Sequence, residues 1–186
     1  MQPVAETAQK RQVRVVPIGT TDTRLMDWLE GRLALIFHRP TRRHPQGLDP
    51  DSCYDTRRGQ YDSRCLLDRL ASLAPEDLVL GFASLDLFMP VLTFVIGEAI
   101  LDGNAAVISS YRLREECYGL PPNPELLKAR LEKEAVHELG HCLGLVHCHD
   151  TRCVMQASAR VEQVDLKERE FCARCRRALE ERSGRP

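Results

Sequence analysis

The apolar positions of the chain switch between a period of two and a period near 3.6. Val13 to Gly19, "VRVVPIG", is crowded with β-branched residues and predicts a buried first strand ended by Gly19. Behind it Leu25, Trp28, Leu29, Leu33 and Ile36 recur at helical spacing, and Thr21 or Asp22 is placed to cap that helix. The Pro-, Gly- and charge-rich stretch from Arg39 to Cys53 reads as a loop with room for one short strand. Ser63 to Pro75 predicts a second helix, with Ser63 as cap and Leu66, Leu67 and Leu70 as its apolar stripe. Three strand-like segments follow: Asp77 to Ala83, Val91 to Ala99 and Ala105 to Leu113.

The best-marked helix runs through "PPNPELLKARLEKEAVHELGHCLGL". Asn123 is its N-cap, Pro124 takes the first helical position, and Glu125 suits the positive end of the dipole. Gly144, free to turn left-handed, is where it should stop. A last helix is predicted from Asp165 into "CARCRRALEE", with Asp165 and Glu168 at capping-box spacing. The order β-α-(β)-α-β-β-β, closed by helices, predicts an α+β (mixed α/β) fold built on a mixed sheet.

Length narrows this to one domain with a real core, or one domain plus a small appendage (186 residues). Lys+Arg 26 against Asp+Glu 27 leaves a formal net charge of -1, which gives no nucleic-acid footprint. The basic clusters at Arg39 to His44 and around "CARCRR" read as solvated faces. The opening "MQPVAETAQKRQ" has no signal-peptide core, and the longest apolar run is interrupted by Asp86, Pro90 and Glu98. A soluble, cytoplasmic monomer with no membrane or nucleic-acid partner is therefore expected. In a reducing compartment the eight cysteines point to metal ligation or burial, not to a disulfide framework.

Candidate chemistry is concentrated in "HELGHCLGLVHCHDTRCVM", His137 to Met155. His137 and His141 lie one helical turn apart, so both imidazoles leave the same face and can share one tetrahedral Zn²⁺. Glu138 follows the first ligand, beside the metal's open position, where it can take a proton from water. Gly144 lets the chain turn so that His147 approaches as a third ligand, completing H-E-x-x-H-x-x-G-x-x-H. His149 fits no position of the pattern and reads as a loop histidine.

Cys148 and Cys153 form one short-spaced pair and Cys172 and Cys175 another, the layout of a closed Cys₄ zinc site. Four thiolates leave no vacancy for water, so this second site would fold the chain and clamp the residue next to His147. Two Zn²⁺ are expected, one catalytic and one structural. Cys53, Cys65, Cys117 and Cys142 lack such spacing and read as small core or surface residues.

At these residues the sequence resembles the archaemetzincins, whose pattern runs H-E-x-x-H-x-x-G-x-x-H-C-x4-C-x-M and then C-x-x-C. "YDTRRGQYDSRCLLDRL" and "LDLFMPVLTFVIGEA" are also similar to segments of that family, and the likeness spans roughly residues 12–180. The resemblance implies a metzincin-like catalytic domain: a twisted mixed sheet over an active-site helix, with a small zinc-bound C-terminal subdomain. It divides the single domain 1–186 into residues 12–144 and 145–180. It implies a methionine floor under the catalytic metal at Met155; as that floor or as an ordinary core methionine, its work is packing. It also makes "LTFVIG" a cleft-lining edge strand that can pair with an extended peptide, although the pattern itself fits a buried strand equally well. The activity implied is zinc-dependent hydrolysis of peptides or proteins. A peptide-binding protein with little turnover is the alternative, and a zinc-stabilised nucleic-acid binder the weaker third.

Overall fold

The computed structural model describes residues 11–183; of the N-terminal stretch read above for targeting, Met1 to Lys10 lie outside them. In chain order the elements are β1 (Val13–Ile18), α1 (Thr23–Phe37), β2 (Thr41–Arg43), β3 (Tyr54–Asp55), β4 (Gln60–Asp62), α2 (Ser63–Leu73), β5 (Leu78–Ala83), β6 (Leu87–Phe88), β7 (Gly97–Ala99), β8 (Ala105–Ser109), α3 (Pro124–Cys142), α4 (Val161–Leu166) and α5 (Ala173–Ser183). The main sheet has the order β2-β1-β5-β8-β7. All its pairings are parallel except that of β7, which runs antiparallel to β8 at the edge. A small second sheet joins β3, β4 and β6. No helix among the described residues is long and apolar enough to cross a membrane.

The period-two rule explains the layers. In the central strands one set of alternate residues (Val13 and Val15; Leu78, Leu80 and Phe82; Ala106 and Ile108) packs with α1 and α3. The other set (Val16 and Ile18; Val79 and Ala83; Ala105 and Val107) packs with Leu66, Leu67 and Leu70 of α2. Strands apolar on both faces thus sit in the middle of three layers, as parallel sheets require. The apolar residues after Gly144, among them Leu145, Val154, Met155, Val161 and Val164, join the first cluster.

Several local expectations are corrected. Asp62, not Ser63, caps α2 through the Arg64 N–H; the Ser63 hydroxyl donates instead to Phe88 O and Glu98. The strand expected at Val91 to Ala99 pairs in the main sheet only over Gly97–Ala99, because Val95 bridges Leu87 instead and the Gln60 amide takes up Thr93 O. The last helix is two: Asp165 lies inside α4, where its carboxylate receives Arg130, and the chain is extended at Lys167 before α5. Cys53 and Cys65 are not free; they form a disulfide. The 3₁₀ turn Asp51–Cys53 packs against the first turns of α2, bringing the two Cα atoms to 5.6 Å, within disulfide reach.

The helix that carries the metal motif is buried on nearly every side from Arg130 to Cys142, including the charged residues Arg130, Glu132, Lys133, Glu134 and Glu138. Arg130 donates to both oxygens of Asp165, to Glu115 and to Leu113 O. Lys133 donates to Val164 O and Asp165 O. Glu134 pairs with Lys167 at 2.8 Å. These bonds fix α4 and its flanks against α3, and α4 offers only Val161 and Val164 as apolar ballast. Removing one partner of a buried pair strands the other, so Arg130→Met should lower the unfolding free energy by about 3 kcal/mol. Urea denaturation of variant and wild type measures this, and equal midpoints would contradict the assignment.

Candidate active site

In α3, Asn123 caps the first turn through the Leu126 N–H, and the helix holds His137 and His141 one turn apart. It ends as expected near Gly144, whose φ of +84° lies in the left-handed region that glycine adopts without strain. The N–H groups of Gly144 and Leu145 close on His141 O and Gly140 O. That turn aims Leu145 O back at His141, whose Nδ1 lies 2.7 Å away. Val154 O stands 2.8 Å from Nδ1 of His137. A carbonyl only accepts, so each Nδ1 carries the proton and each Nε2 presents a bare lone pair. Burial holds all three histidines below their usual range, so they are neutral near pH 7, the ligating form.

The structure brings the three imidazoles together. Ring centroids are 4.6 Å apart for His137 and His141, 5.3 Å for His137 and His147, and 4.9 Å for His141 and His147. Candidate ligand atoms of all three lie within 4.8 Å of one another. The Nε2 atoms of His137 and His141 are 3.1 Å apart, with no proton for either to donate. Two nitrogens on one tetrahedral Zn²⁺ at ~2.05 Å would stand ~3.3 Å apart, so the donor set fits a shared cation.

Glu138 points into the same cleft, about 810 Å³ in volume, lined by β7, α3, His147 and the segment after Met155. It is wedged against the edge strand: a Cβ at Gly97 would lie 2.7 Å from its Oε1. Burial, then the nearby Glu134 charge, push its carboxyl well above the usual carboxylate range. Met155 is fully buried beneath α3; a Cβ at Gly140, between the two ligand turns, would lie 2.5 Å from its sulfur. Its carbonyl also accepts from the Cys148 N–H at 2.9 Å.

The four cysteines converge as a second group. Sγ of Cys148 lies 3.8 Å from that of Cys172, and Sγ of Cys153 lies 3.8 Å from that of Cys175. These spacings exceed a disulfide bond, and they match the ~3.8 Å expected of two thiolates on one tetrahedral Zn²⁺ at ~2.3 Å. Burial alone would raise the Cys148 thiol; hydrogen bonds from the Asp150 N–H and the Arg174 guanidinium outweigh it and bring the thiol to about 7. Burial and the neighbouring thiols push Cys175 up, a cost that a bound cation would remove. Cys142 is buried in the core, its thiol raised to about 12 by burial, while Cys117 and His149 are exposed.

Every residue singled out in the two motifs falls in one of these groups or beside them. Glu98, Glu134, Gly97 and Lys167 were not singled out. Glu134 had a signal, one turn ahead of His137 on the same helix. Lys167 had none, since it enters from a distant segment.

A model of peptidase family M54 matches residues 47–181. Archaemetzincin of Methanocaldococcus jannaschii is 40% identical over 171 residues, covering 92% of this chain and 94% of that protein. The crystal structure of archaemetzincin from Methanopyrus kandleri superposes with a TM-score of 0.83 at 34% identity, covering 98% of this chain and all of that one. A zinc-dependent peptidase from Methanocorpusculum labreanum superposes at 0.79 with 25% identity, over 90% of this chain and 99% of that one. With the three-histidine and four-cysteine groups already in place, these likenesses show that the chain belongs to peptidase family M54, the family of the archaemetzincins, and is a zinc-dependent metallopeptidase.

Proposed function

We propose that His137, His141 and His147 hold the catalytic zinc, that Glu138 is the general base, and that Cys148, Cys153, Cys172 and Cys175 hold a second, structural zinc. One observation carries this reading: two backbone carbonyls take the Nδ1 protons of His137 and His141, so both Nε2 lone pairs face one point beside a cleft carboxylate. The proposed division of the single domain follows, with residues 12–144 carrying the active-site helix and 145–180 the cysteine clasp.

When bound, zinc supplies Lewis acidity that polarises the scissile carbonyl and makes water a better acid. The chain supplies the rest. The β7 edge offers backbone groups to an extended peptide, as in strand addition. Glu138 takes a proton from the attacking water and hands it to the leaving amine. Its carboxyl group lies in the cleft against the edge strand, placed to hold that proton between the two transfers. Gly97 leaves room for that carboxylate between strand and helix. Met155 supports the helix from below. Peptides or proteins are the substrates, and a soluble cytoplasmic monomer acting without nucleic acid or membrane remains the proposed setting.

Glu138→Gln should keep both metals and the fold while lowering kcat by about 10²- to 10⁴-fold. Wild-type turnover in the zinc-loaded variant would remove Glu138 from the mechanism. Gly97→Ala, which displaces Glu138 without touching a ligand, should lower kcat roughly 10- to 100-fold at full zinc content. A metal count should give two zinc ions per chain. Cys175→Ser should lose one of them and drop Tm on the order of 10 °C, with the three-histidine metal retained at low temperature. A variant that still carries two zinc ions at unchanged Tm would refute the four-sulfur site.

A further inference from the structure

The disulfide between Cys53 and Cys65 lies outside both metal groups, and the proposed mechanism makes no use of it. It closes a loop that holds β3, β4 and the opening residues of α2. Side chains of that loop grip a single segment. Arg58 lies 4.2 Å over the Phe88 ring and donates to Leu92 O at 3.1 Å and Met89 O at 3.4 Å. Gln60 donates to Thr93 O at 3.1 Å. Ser63 donates to Phe88 O and to Glu98, and Arg64 stands 3.7 Å from the same carboxylate. The backbone adds the parallel pairing of Tyr61 with Leu87 and of Asp62 with Phe88. The gripped segment is a wall of the cleft, which Met89 and every residue from Leu92 to Glu98 line.

From Pro90 to Phe94 this wall forms no strand, and Val91 at its tip is 79% exposed. Its placement there rests on the loop's side chains, joined by the Arg112 guanidinium stacked 4.7 Å from the Phe94 ring. A segment with few buried apolar contacts opens locally at low cost. A covalent link between the ends of the gripping loop removes conformations from it, and with them openings of the wall. Breaking that link relaxes the loop without casting it loose. Arg69 of α2 still donates to Asp49 O and to the Ser52 hydroxyl, at 2.6 and 2.7 Å.

We propose, on the reading that the cleft takes peptides, that the Cys53–Cys65 bridge is a thiol-exchange site that sets the rigidity of this wall. Closed, it holds the wall for peptide capture; reduced, it loosens the wall and weakens capture. In the proposed cytoplasmic setting a disulfide is transient, and small-molecule thiols are the reductant. A small thiolate attacks Sγ of Cys65, which is half-buried where Cys53 is 4% exposed. The bond between the two protein sulfurs breaks, and Cys53 leaves as a thiolate that takes a proton from solvent. A second small thiolate attacks the small-molecule sulfur of the mixed disulfide, and Cys65 leaves and is protonated in turn. Two small thiols are thereby oxidised to one disulfide while the protein's disulfide is reduced to two thiols.

The test compares the zinc-loaded full chain with itself in oxidised and reduced glutathione buffers, carrying Cys117→Ser so that the exposed free thiol plays no part. Alkylation in denaturant followed by mass spectrometry should find Cys53 and Cys65 joined in the oxidised buffer and as two thiols in the reduced one. Amide exchange in peptides spanning residues 88–98 should quicken about tenfold or more on reduction, while exchange in α3 and the zinc content stay unchanged. On the zinc-loaded Glu138→Gln variant, Kd for the tightest binder of an octapeptide panel should rise about three- to tenfold on reduction. Joint replacement by Cys53→Ser and Cys65→Ser should give the reduced values in both buffers. Cysteines that stay thiols in the oxidised buffer, equal exchange, or equal Kd in the two buffers overturns the inference. Glutathione-dependent exchange and Kd with no turnover in wild type would leave this inference standing and sink the hydrolase; turnover with neither response would do the reverse.

Discussion

The Nδ1 hydrogen bond from His137 to Val154 O is the interaction on which the rest depends. It sets the tautomer, aims Nε2 at its neighbours, and joins the helix to a segment 17 residues further on. Val154 is itself held on both sides: its N–H donates to Glu170 O, while the next carbonyl, Met155 O, accepts from Cys148. Cys153 precedes it and belongs to the sulfur cluster. The proposed clasp of four thiolates therefore sits where it can hold the orientation of His137, a proposed ligand of the catalytic metal. It also holds Cys148, the residue after His147. In this arrangement folding and metal chemistry share one piece of backbone.

The buried charges of α3 answer a related constraint. A short C-terminal segment with few apolar residues must still be fixed against a helix, and α4 contributes two buried aliphatic side chains. Arg130, Lys133 and Glu134 supply direction where apolar area is scarce, each reaching a specific group on the segment from Val164 to Lys167. Such pairs contribute little net free energy over an apolar equivalent but penalise every other docking. That is the requirement here, because a slip of α4 would carry Lys167 and the cleft wall from Gln156 to Gln163 with it.

The three-histidine and four-cysteine groups proposed to hold metal were legible because their geometry is local. A helical repeat puts His137 and His141 on one face, a glycine turns the chain to His147, and two pairs of cysteines need only short loops. The central strands were legible for the same reason, since apolar runs with β-branched residues announce a buried sheet. What escaped depends on tertiary choices. Asp165 has a capping-box neighbour in sequence, yet Arg130 captures its carboxylate. Cys53 and Cys65 show no spacing signal; only the docking of a 3₁₀ turn on α2 pairs them. Val91 to Ile96 has strand composition, but its groups are taken by Leu87 and Gln60, and three residues remain to make the edge.

That shortened edge has a mechanical consequence for the proposed base. Glu138 sits between α3 and β7, where a Cβ at Gly97 would lie 2.7 Å from its Oε1. On the far side of the strand, Glu98 turns away toward Ser63 and Arg64 at the start of α2. Side chains alternate along a strand, so the same register that clears space for one carboxylate sends the next into the opposite layer, where a hydroxyl and a guanidinium receive it. A one-residue slip of β7 on β8 would exchange them and put Glu98 against the base. The antiparallel pairing of Gly97 with Ile108 and of Glu98 with Val107 is thus a constraint on the proposed base as much as an element of the fold.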